Sequence, residues 1–143
     1  MIVVDTSGLI AALFSRDPAH PAVASAIGTE KGPFVVSPFV LAEVDYLVLE
    51  NWGVENELLA LAAIHDGFQI AQFDRDDLHM AMQIINRYED HGIGLADASI
   101  VVLAHRHRTR RVLTLDQRHF RVLRGPGDKP FTIVPADLGT SAR

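Results

Sequence analysis

The sequence predicts an α/β protein, with a three-layer α/β/α sandwich built around a central, mostly parallel sheet of four to five strands. Two observations support this fold class. Short segments made of apolar, often β-branched residues have the pattern of strands that are buried on both faces. They alternate with longer stretches that carry helix caps and first-turn prolines. A single domain is expected at residues 1–138, followed by a frayed tail at 139–143.

The elements can be placed in order along the chain. Strands are predicted at residues 2–4, 34–36, 68–73, 111–115 and 131–134. Helices are predicted at residues 9–14, 21–27, 38–49, 55–65, 74–88 and 95–104. Pro21, Ser37 and Asp74 mark helix starts, because proline, hydroxyl and carboxylate side chains suit the first turn. The last helix is apolar on nearly every side and should be buried, whereas the glycine- and proline-rich segment at 125–130 is predicted to be a turn.

The amino-acid composition excludes several kinds of site and classes of protein. There is no cysteine, which excludes disulfides and a cysteine-ligated zinc site and is compatible with a reducing cytoplasm. No apolar run is long enough to span a bilayer, so a cytoplasmic protein without a membrane segment is expected. The formal net charge is −5, but the nine basic residues of 105–143 outnumber three acids there. The chain should not bind nucleic acid indiscriminately, although its last quarter could bind phosphate locally.

Four acids share one predicted position in the fold. Asp5 and Asp116 directly follow predicted strands, while Glu43 and Asp97 lie early in predicted helices. In a parallel sheet these positions lie towards the same edge, so the four side chains can meet in one pocket. Two like charges about 4 Å apart repel by roughly 4 kcal/mol at an effective dielectric of 20. The cluster therefore predicts one or two hard divalent cations, Mg²⁺ or Mn²⁺, held by these oxygen ligands.

Such a site suits hydrolysis of a phosphodiester bond, in which the cation orients the phosphate and activates water. Hydroxyl groups next to the acids are candidates for a supporting role. They belong to Thr6, Ser7, Ser99 and Thr114. Taken one at a time, Asp5, Ser7 and Ser99 are explained equally well as helix caps.

Several segments together resemble one known family. They are VDTS at 4–7, LADAS at 95–99 and LTLDQRHF at 113–120, with a helix that opens at Ser37-Pro38 and carries Glu43. In this order and spacing they resemble the PIN domain, and specifically the VapC-type toxins of bacterial toxin–antitoxin pairs. The resemblance covers nearly the whole chain and shows no departure at the four acidic positions.

The resemblance implies the PIN-like fold and a specific activity. The chain would be the toxin of a type II toxin–antitoxin system, a Mg²⁺- or Mn²⁺-dependent endoribonuclease that forms a homodimer and is inhibited by a cognate VapB-type antitoxin. It implies that Asp5, Glu43, Asp97 and Asp116 form the metal site, with Asp116 at a position where family members vary. Structured ribosomal RNA is the implied substrate. The alternative is a catalytically silent regulatory PIN module that binds RNA or a protein.

A phosphotransfer domain is a poorer explanation. A phosphatase of the haloacid dehalogenase type would need a second aspartate where Ser7 stands, and a receiver domain would need a lysine near the late strand.

The remaining charged and apolar positions support weaker predictions. Arg108, Arg110 and Arg118 are predicted to contact RNA phosphates, although basic residues at 105–111 also stabilise a helix carboxyl terminus. The seven histidines include no His-x-x-x-His pair, so a zinc site is not expected. His119 could assist near Asp116, but an indirect or solvent-facing role is the simpler expectation. Core positions rather than interface positions are predicted for Leu9, Leu13, Phe14, Leu47, Leu49 and Trp52.

Overall fold

A computed structural model of the chain describes residues 1–139 and contains one five-stranded parallel sheet. Most of the tail predicted at 139–143 lies outside the described residues. The strands are β1 (Ile2–Val4), β2 (Phe34–Val36), β3 (Gln69–Ile70), β4 (Arg111–Leu113) and β7 (Thr132–Val134), and their order in the sheet is β3-β2-β1-β4-β7. Val3 of the central strand aligns with Val35 on one side and Val112 on the other. The predicted parallel sheet is confirmed.

Six α-helices accompany the sheet within residues 1–139. They are α1 (Thr6–Leu13), α2 (His20–Thr29), α3 (Pro38–Gly67), α4 (Arg75–Arg87), α5 (Leu95–Arg106) and α6 (Gln117–Phe120). Helix α1 packs against α2 and α3, while α4 packs against α5. The helices form the outer layers of the predicted α/β/α sandwich. Among residues 1–139 no helix combines the length and apolarity needed to cross a bilayer.

The first helix begins three residues earlier than predicted. Thr, Ser and Gly are weak helix formers, but here they form the first turn of α1 directly after Asp5. A Cβ atom on Gly8 would lie 2.4 Å from the carbonyl oxygen of Leu113. Only glycine allows this close approach of α1 to the end of β4, and the approach brings Asp5 towards the chain that follows β4.

Several helices and strands begin or end at residues other than those predicted. The two helices predicted at 38–49 and 55–65 form one run, bent at Gly53, whose φ is +80°. The third strand shortens from 68–73 to two exposed residues at the sheet edge. The fourth strand ends at Leu113 rather than residue 115, so Asp116 does not follow it directly. Helix α6 was not predicted, and the turn predicted at 125–130 lies within a small antiparallel hairpin of β5 (Arg124–Gly125) and β6 (Lys129–Pro130).

The core consists mainly of the three central strands and α5. Residues 98–104 of α5 are all buried, as the apolar pattern of that segment predicts. Leu9 is buried, but Leu49 and Trp52 are 40% and 46% exposed, so the prediction that these two belong to the core is wrong. They lie just before the bend at Gly53, where Trp52 stacks on Phe14 with ring centroids 4.9 Å apart.

Candidate metal centre

Asp5 is the most buried of the four predicted acids, with 6% of its surface exposed. It occupies the N-cap position of α1, but its side chain makes no capping hydrogen bond. Instead, Oδ2 of Asp5 accepts a hydrogen bond of 2.7 Å from the Thr114 hydroxyl. The backbone N–H of Asp5 donates to the carbonyl oxygen of Leu113 at 2.9 Å. These contacts hold the carboxylate against the chain that leaves β4, which rules out simple helix capping.

Ser7 and Thr114 connect the first turn of α1 to the loop after β4. The Ser7 hydroxyl lies 3.4 Å from Oδ2 of Asp5 and accepts a hydrogen bond of 3.0 Å from the N–H of Leu115. Thr114 Oγ1 accepts a hydrogen bond of 2.9 Å from the N–H of Asp116. Both hydroxyls therefore join Asp5 to the segment that carries Asp116.

Asp116 is the N-cap of α6, and its carboxylate makes two contacts with His119. Oδ1 of Asp116 accepts a hydrogen bond of 3.1 Å from the N–H of His119, and Oδ2 lies 2.9 Å from the ring Nδ1 of the same residue. The ring Nδ1 is also 3.4 Å from Oδ2 of Asp97. His119 therefore stands between two of the predicted acids, rather than facing solvent.

Asp97 lies in the first turn of α5, and Glu43 lies in the first half of α3. A buried pair of hydroxyls joins these two helices, because the Ser37 and Ser99 oxygens are 2.7 Å apart. The Ser37 hydroxyl also caps α3 by accepting from the N–H of Phe39, and Ser99 donates to the carbonyl oxygen of Ala96. Ser99 is thus neither a cap nor part of the cavity wall, and it supports the site only through the placement of α3 and α5.

The four predicted acids and His119 line one cavity of about 630 Å³. Its polar lining comprises Asp5, Thr6, Ser7, Asp17, Glu43, Asp97, Asp116 and His119. Asp17 is an acid that the sequence did not single out; its Oδ1 accepts a hydrogen bond of 2.8 Å from the N–H of Ala19. Its position after α1 carries no motif, so only the fold reveals it. Apolar side chains, including Ile10 and Leu47, complete the wall.

Three acids of the site, Asp5, Glu43 and Asp97, have pKa values above those of ordinary carboxyls. Burial raises the pKa of Asp97 to about 6, and the negative charge of Asp5 adds to this effect. Burial also raises the pKa of Asp5, against the hydrogen bond from Thr114 that favours its ionised form. Glu43 is exposed at the rim, yet partial desolvation and the charge of Asp5 raise its pKa as well. Mutual repulsion and loss of water explain all three shifts.

A divalent cation fits these residues. In the part of the chain that the structure describes, no arginine or lysine forms an ion pair with Asp5, Glu43, Asp97 or Asp116. The buried Thr6 hydroxyl lines the same cavity, and its side-chain interaction with Glu43 favours the ionised form of that carboxyl. Carboxylate oxygens in this number suit Mg²⁺ or Mn²⁺.

The predicted RNA-binding arginines separate into two regions. Arg118 is exposed on α6, two residues from Asp116. Arg108 and Arg110 precede the amino end of β4, at the edge of the sheet opposite the acids. The structure therefore brings Arg118 near the site and leaves the other two remote from it.

Comparison with known proteins identifies the fold and the family. The family model described as the PIN domain matches residues 2–125. The curated relative Ribonuclease VapC26 of Mycobacterium tuberculosis is 43% identical over 135 residues, which cover 94% of this chain and all of the relative.

Solved structures share the architecture at lower identity. The crystal structure of Mycobacterium tuberculosis VapC20, described as a sarcin-ricin loop cleaving toxin, has a TM-score of 0.75 at 20% identity and covers 82% of this chain and 92% of its own. VapBC2 from Rickettsia felis, bound to a DNA fragment from its promoter, has a TM-score of 0.69 at 18% identity and covers 93% of this chain and 98% of its own. These likenesses concern the fold.

Proposed function

The chain belongs to the PIN-domain family, as a relative of the VapC ribonucleases, and we propose that it is the toxin of a type II toxin–antitoxin system that cleaves RNA with a divalent metal ion. One observation carries the proposal. Asp5, Asp97 and Asp116 reach one cavity from three distant segments and have no arginine or lysine partner among the described residues. Residues 1–138 would act as one functional domain.

The residues of the site would have different roles in RNA cleavage. Asp5, Glu43, Asp97 and Asp116 would hold one or two Mg²⁺ or Mn²⁺ ions. When bound, the cation supplies positive charge against the charge that develops on the phosphate and activates water for attack. Thr114 and Ser7 orient the Asp5 carboxylate through their hydroxyls. The Thr6 hydroxyl, which lines the cavity beside Glu43, would support that carboxylate.

Structured ribosomal RNA is the proposed substrate. The support is the relationship to VapC ribonucleases and the likeness in fold to a toxin described as cleaving the sarcin-ricin loop. Arg118, which lies beside the site, would contact a phosphate of the bound RNA. Arg108 and Arg110 would contact RNA only if the substrate extends around the protein to the opposite edge of the sheet.

A VapB-type antitoxin is the proposed protein partner, and a homodimer in the cytoplasm the proposed working state. Solved neighbours include VapBC complexes. A second cavity of about 660 Å³, lined by Leu13, Phe14, Trp52 and Leu59 among others, presents the apolar surface that an amphipathic partner segment needs. This cavity shares Ile10 and Asp17 with the acid cavity. A segment bound there would lie beside the site that it must block.

RNA cleavage by the chain freed of antitoxin tests the proposal. Loss of a group that merely supports a metal ligand costs about 10–100-fold, so we expect Asp97→Asn to lower Mn²⁺-dependent cleavage by more than about 100-fold. Asp77→Asn is the matched control, because Asp77 also lies in a first helical turn but pairs with Arg106, at the opposite end of α5 from Asp97. Mapping the 5′ ends of cellular RNA after induction would identify the cut.

Two results would count against the proposal. A folded Asp97→Asn protein with full activity would exclude the metal site. Binding of structured RNA without cleavage in Mg²⁺ or Mn²⁺ would instead support the alternative, a silent regulatory PIN module.

A further inference from the structure

We propose that His119 is a direct ligand of the cation, together with Asp97 and Asp116, and that its imidazole nitrogen makes the site prefer Mn²⁺ over Mg²⁺. This inference rests on the proposed function, because it presupposes a divalent cation in the cavity. It adds a nitrogen donor to a set that the sequence predicts to be made of oxygen alone.

The distances among the three side chains match one coordination sphere. His119 Nδ1 lies 2.9 Å from Oδ2 of Asp116 and 3.4 Å from Oδ2 of Asp97. One ligand atom from each residue lies within 4.8 Å of the other two. Adjacent ligands of an octahedral ion with bonds of about 2.1 Å are separated by about 3.0 Å, and opposite ligands by about 4.2 Å. The two separations that involve His119, 2.9 and 3.4 Å, are close to the distance between adjacent ligands, so the three side chains can offer donor atoms to one cation.

The fold holds the imidazole in this place. The backbone N–H of His119 donates to Asp116 at the start of α6. The next residue, Phe120, is fully buried and packs edge-to-face on Phe131, with ring centroids 6.0 Å apart. Because α6 is fixed at both points, the ring remains in the cavity with 26% of the side chain exposed. A freely rotating surface histidine would not be restricted in this way.

A simpler role must be distinguished from metal ligation. The same 2.9 Å contact would form if Nδ1 donated its hydrogen to Asp116 and only oriented that carboxylate. At Nδ1 the two roles exclude each other, because a ligating Nδ1 uses its lone pair and carries no hydrogen. They also differ in selectivity, since imidazole is a good ligand for transition metals whereas Mg²⁺ strongly prefers oxygen.

Metal affinity gives the first readout. His119→Asn keeps an N–H donor for Asp116 but removes the imidazole. If His119 is a ligand, the dissociation constant for Mn²⁺ should rise by more than about tenfold while that for Mg²⁺ changes by less than about threefold. An equal loss for both ions would indicate orientation of Asp116 alone and would overturn the inference.

Pulsed electron paramagnetic resonance of the Mn²⁺-loaded full chain gives a readout that orientation alone cannot produce. We expect a ¹⁴N coupling from directly bound imidazole that becomes a ¹⁵N coupling after labelling with [¹⁵N]histidine and disappears in His119→Asn. His65→Asn is the matched control, because His65 Nδ1 also lies 2.9 Å from a carboxylate, that of Asp66, on the exposed surface. The control should retain the coupling.

The outcomes separate the two proposals. If Mn²⁺ binds to the wild-type protein and Asp97→Asn weakens it, but no nitrogen coupling is seen, His119 is not a ligand and the proposed function stands. If the wild-type protein binds no divalent cation, the proposed function fails together with this inference.

Discussion

Asp97 and Asp77 are matched in position but differ in their surroundings. Each lies in the first turn of a helix, α5 or α4, and their side chains are 19% and 18% exposed. Burial and the charge of Asp5 raise the pKa of Asp97 to about 6. Burial opposes ionisation of Asp77 too, but hydrogen bonds from Arg106 and from the Asp74 backbone outweigh it and lower the pKa of Asp77.

The same contrast extends to other carboxylates. Hydrogen bonds from Arg121 lower the pKa of Asp137, and those from Arg87 lower the pKa of Asp128. In the cavity, Asp5, Glu43 and Asp97 have raised pKa values instead, because burial and neighbouring carboxylates oppose their ionisation. Asp77, Asp128 and Asp137 thus have cationic partners from within the chain, whereas no arginine or lysine of residues 1–139 pairs with the three cavity acids. The following predictions test this difference.

Cation binding should produce the largest effect. A ligand at 100 times its dissociation constant stabilises the folded state by about 2.7 kcal/mol, so Mn²⁺ at that level should raise the melting temperature measured by circular dichroism. Asp97→Asn should reduce the increase, and Asp77→Asn should leave it unchanged. Chelation with EDTA is the control, and an increase that survives in Asp97→Asn would place the cation elsewhere.

Removing the charge of Asp97 should stabilise the metal-free protein. A pKa raised from 3.8 to about 6 corresponds to at most about 3 kcal/mol of penalty for the ionised form. We expect Asp97→Asn to increase the free energy of unfolding at pH 7.5 by about 2 kcal/mol, measured in urea with EDTA present. Asp77→Asn should decrease it. A decrease for both variants would show that the cavity carboxylates are not under repulsion.

The stability of the metal-free protein should fall as pH rises through the titration of Asp97. The folded-state pKa lies above the unfolded value, so the folded protein binds more protons between about pH 4 and 6, and the gain is lost as pH rises through about 6. This group alone should make the protein about 0.8 kcal/mol more stable at pH 5.5 than at pH 7. Asp97→Asn should reduce the difference by about that amount, while Asp5 and Glu43, whose pKa values are also raised, keep a smaller pH dependence. If the variant shows the same pH dependence as the wild type, another group is responsible.

The smallest effect is expected at the periphery. Arg106→Gln removes the ion pair with Asp77 and should lower the free energy of unfolding by about 0.5 kcal/mol, because such partly exposed pairs contribute little. The loss should shrink further in 1 M salt. Metal affinity should not change; a change would mean that Arg106 influences the cavity.

Several parts of the site were accessible from the sequence. Asp5 is predicted because an apolar β-branched segment runs directly into it, and Asp97 because it lies early in a helix that is apolar on nearly every side. The end of β4 was placed two residues late, since Thr114 and Leu115 continue the strand pattern while their polar groups bond to the first turn of α1 or to neighbouring residues. Such contacts join residues more than a hundred positions apart and leave no local signal.

Other residues could be assigned a role only from the contacts that their side chains make in the folded protein. Capping explained Ser7 and Ser99 as well as a supporting role did, until the structure paired them with Thr114 and Ser37. Trp52 was placed in the core on hydrophobicity, yet it lies on the surface before the bend at Gly53.

The sequence by itself indicated four of the carboxylates that line the cavity and the edge of the sheet at which they emerge. Strand pattern and helix caps are local properties, and alternating strands and helices predict a parallel sheet. Only the tertiary structure decided what surrounds each carboxylate. It pairs the guanidinium of Arg106 with the carboxylate of Asp77, and it puts the imidazole of His119 between the carboxylates of Asp97 and Asp116. The energy of a charge depends on the few ångströms around it, and those neighbours come from distant parts of the chain.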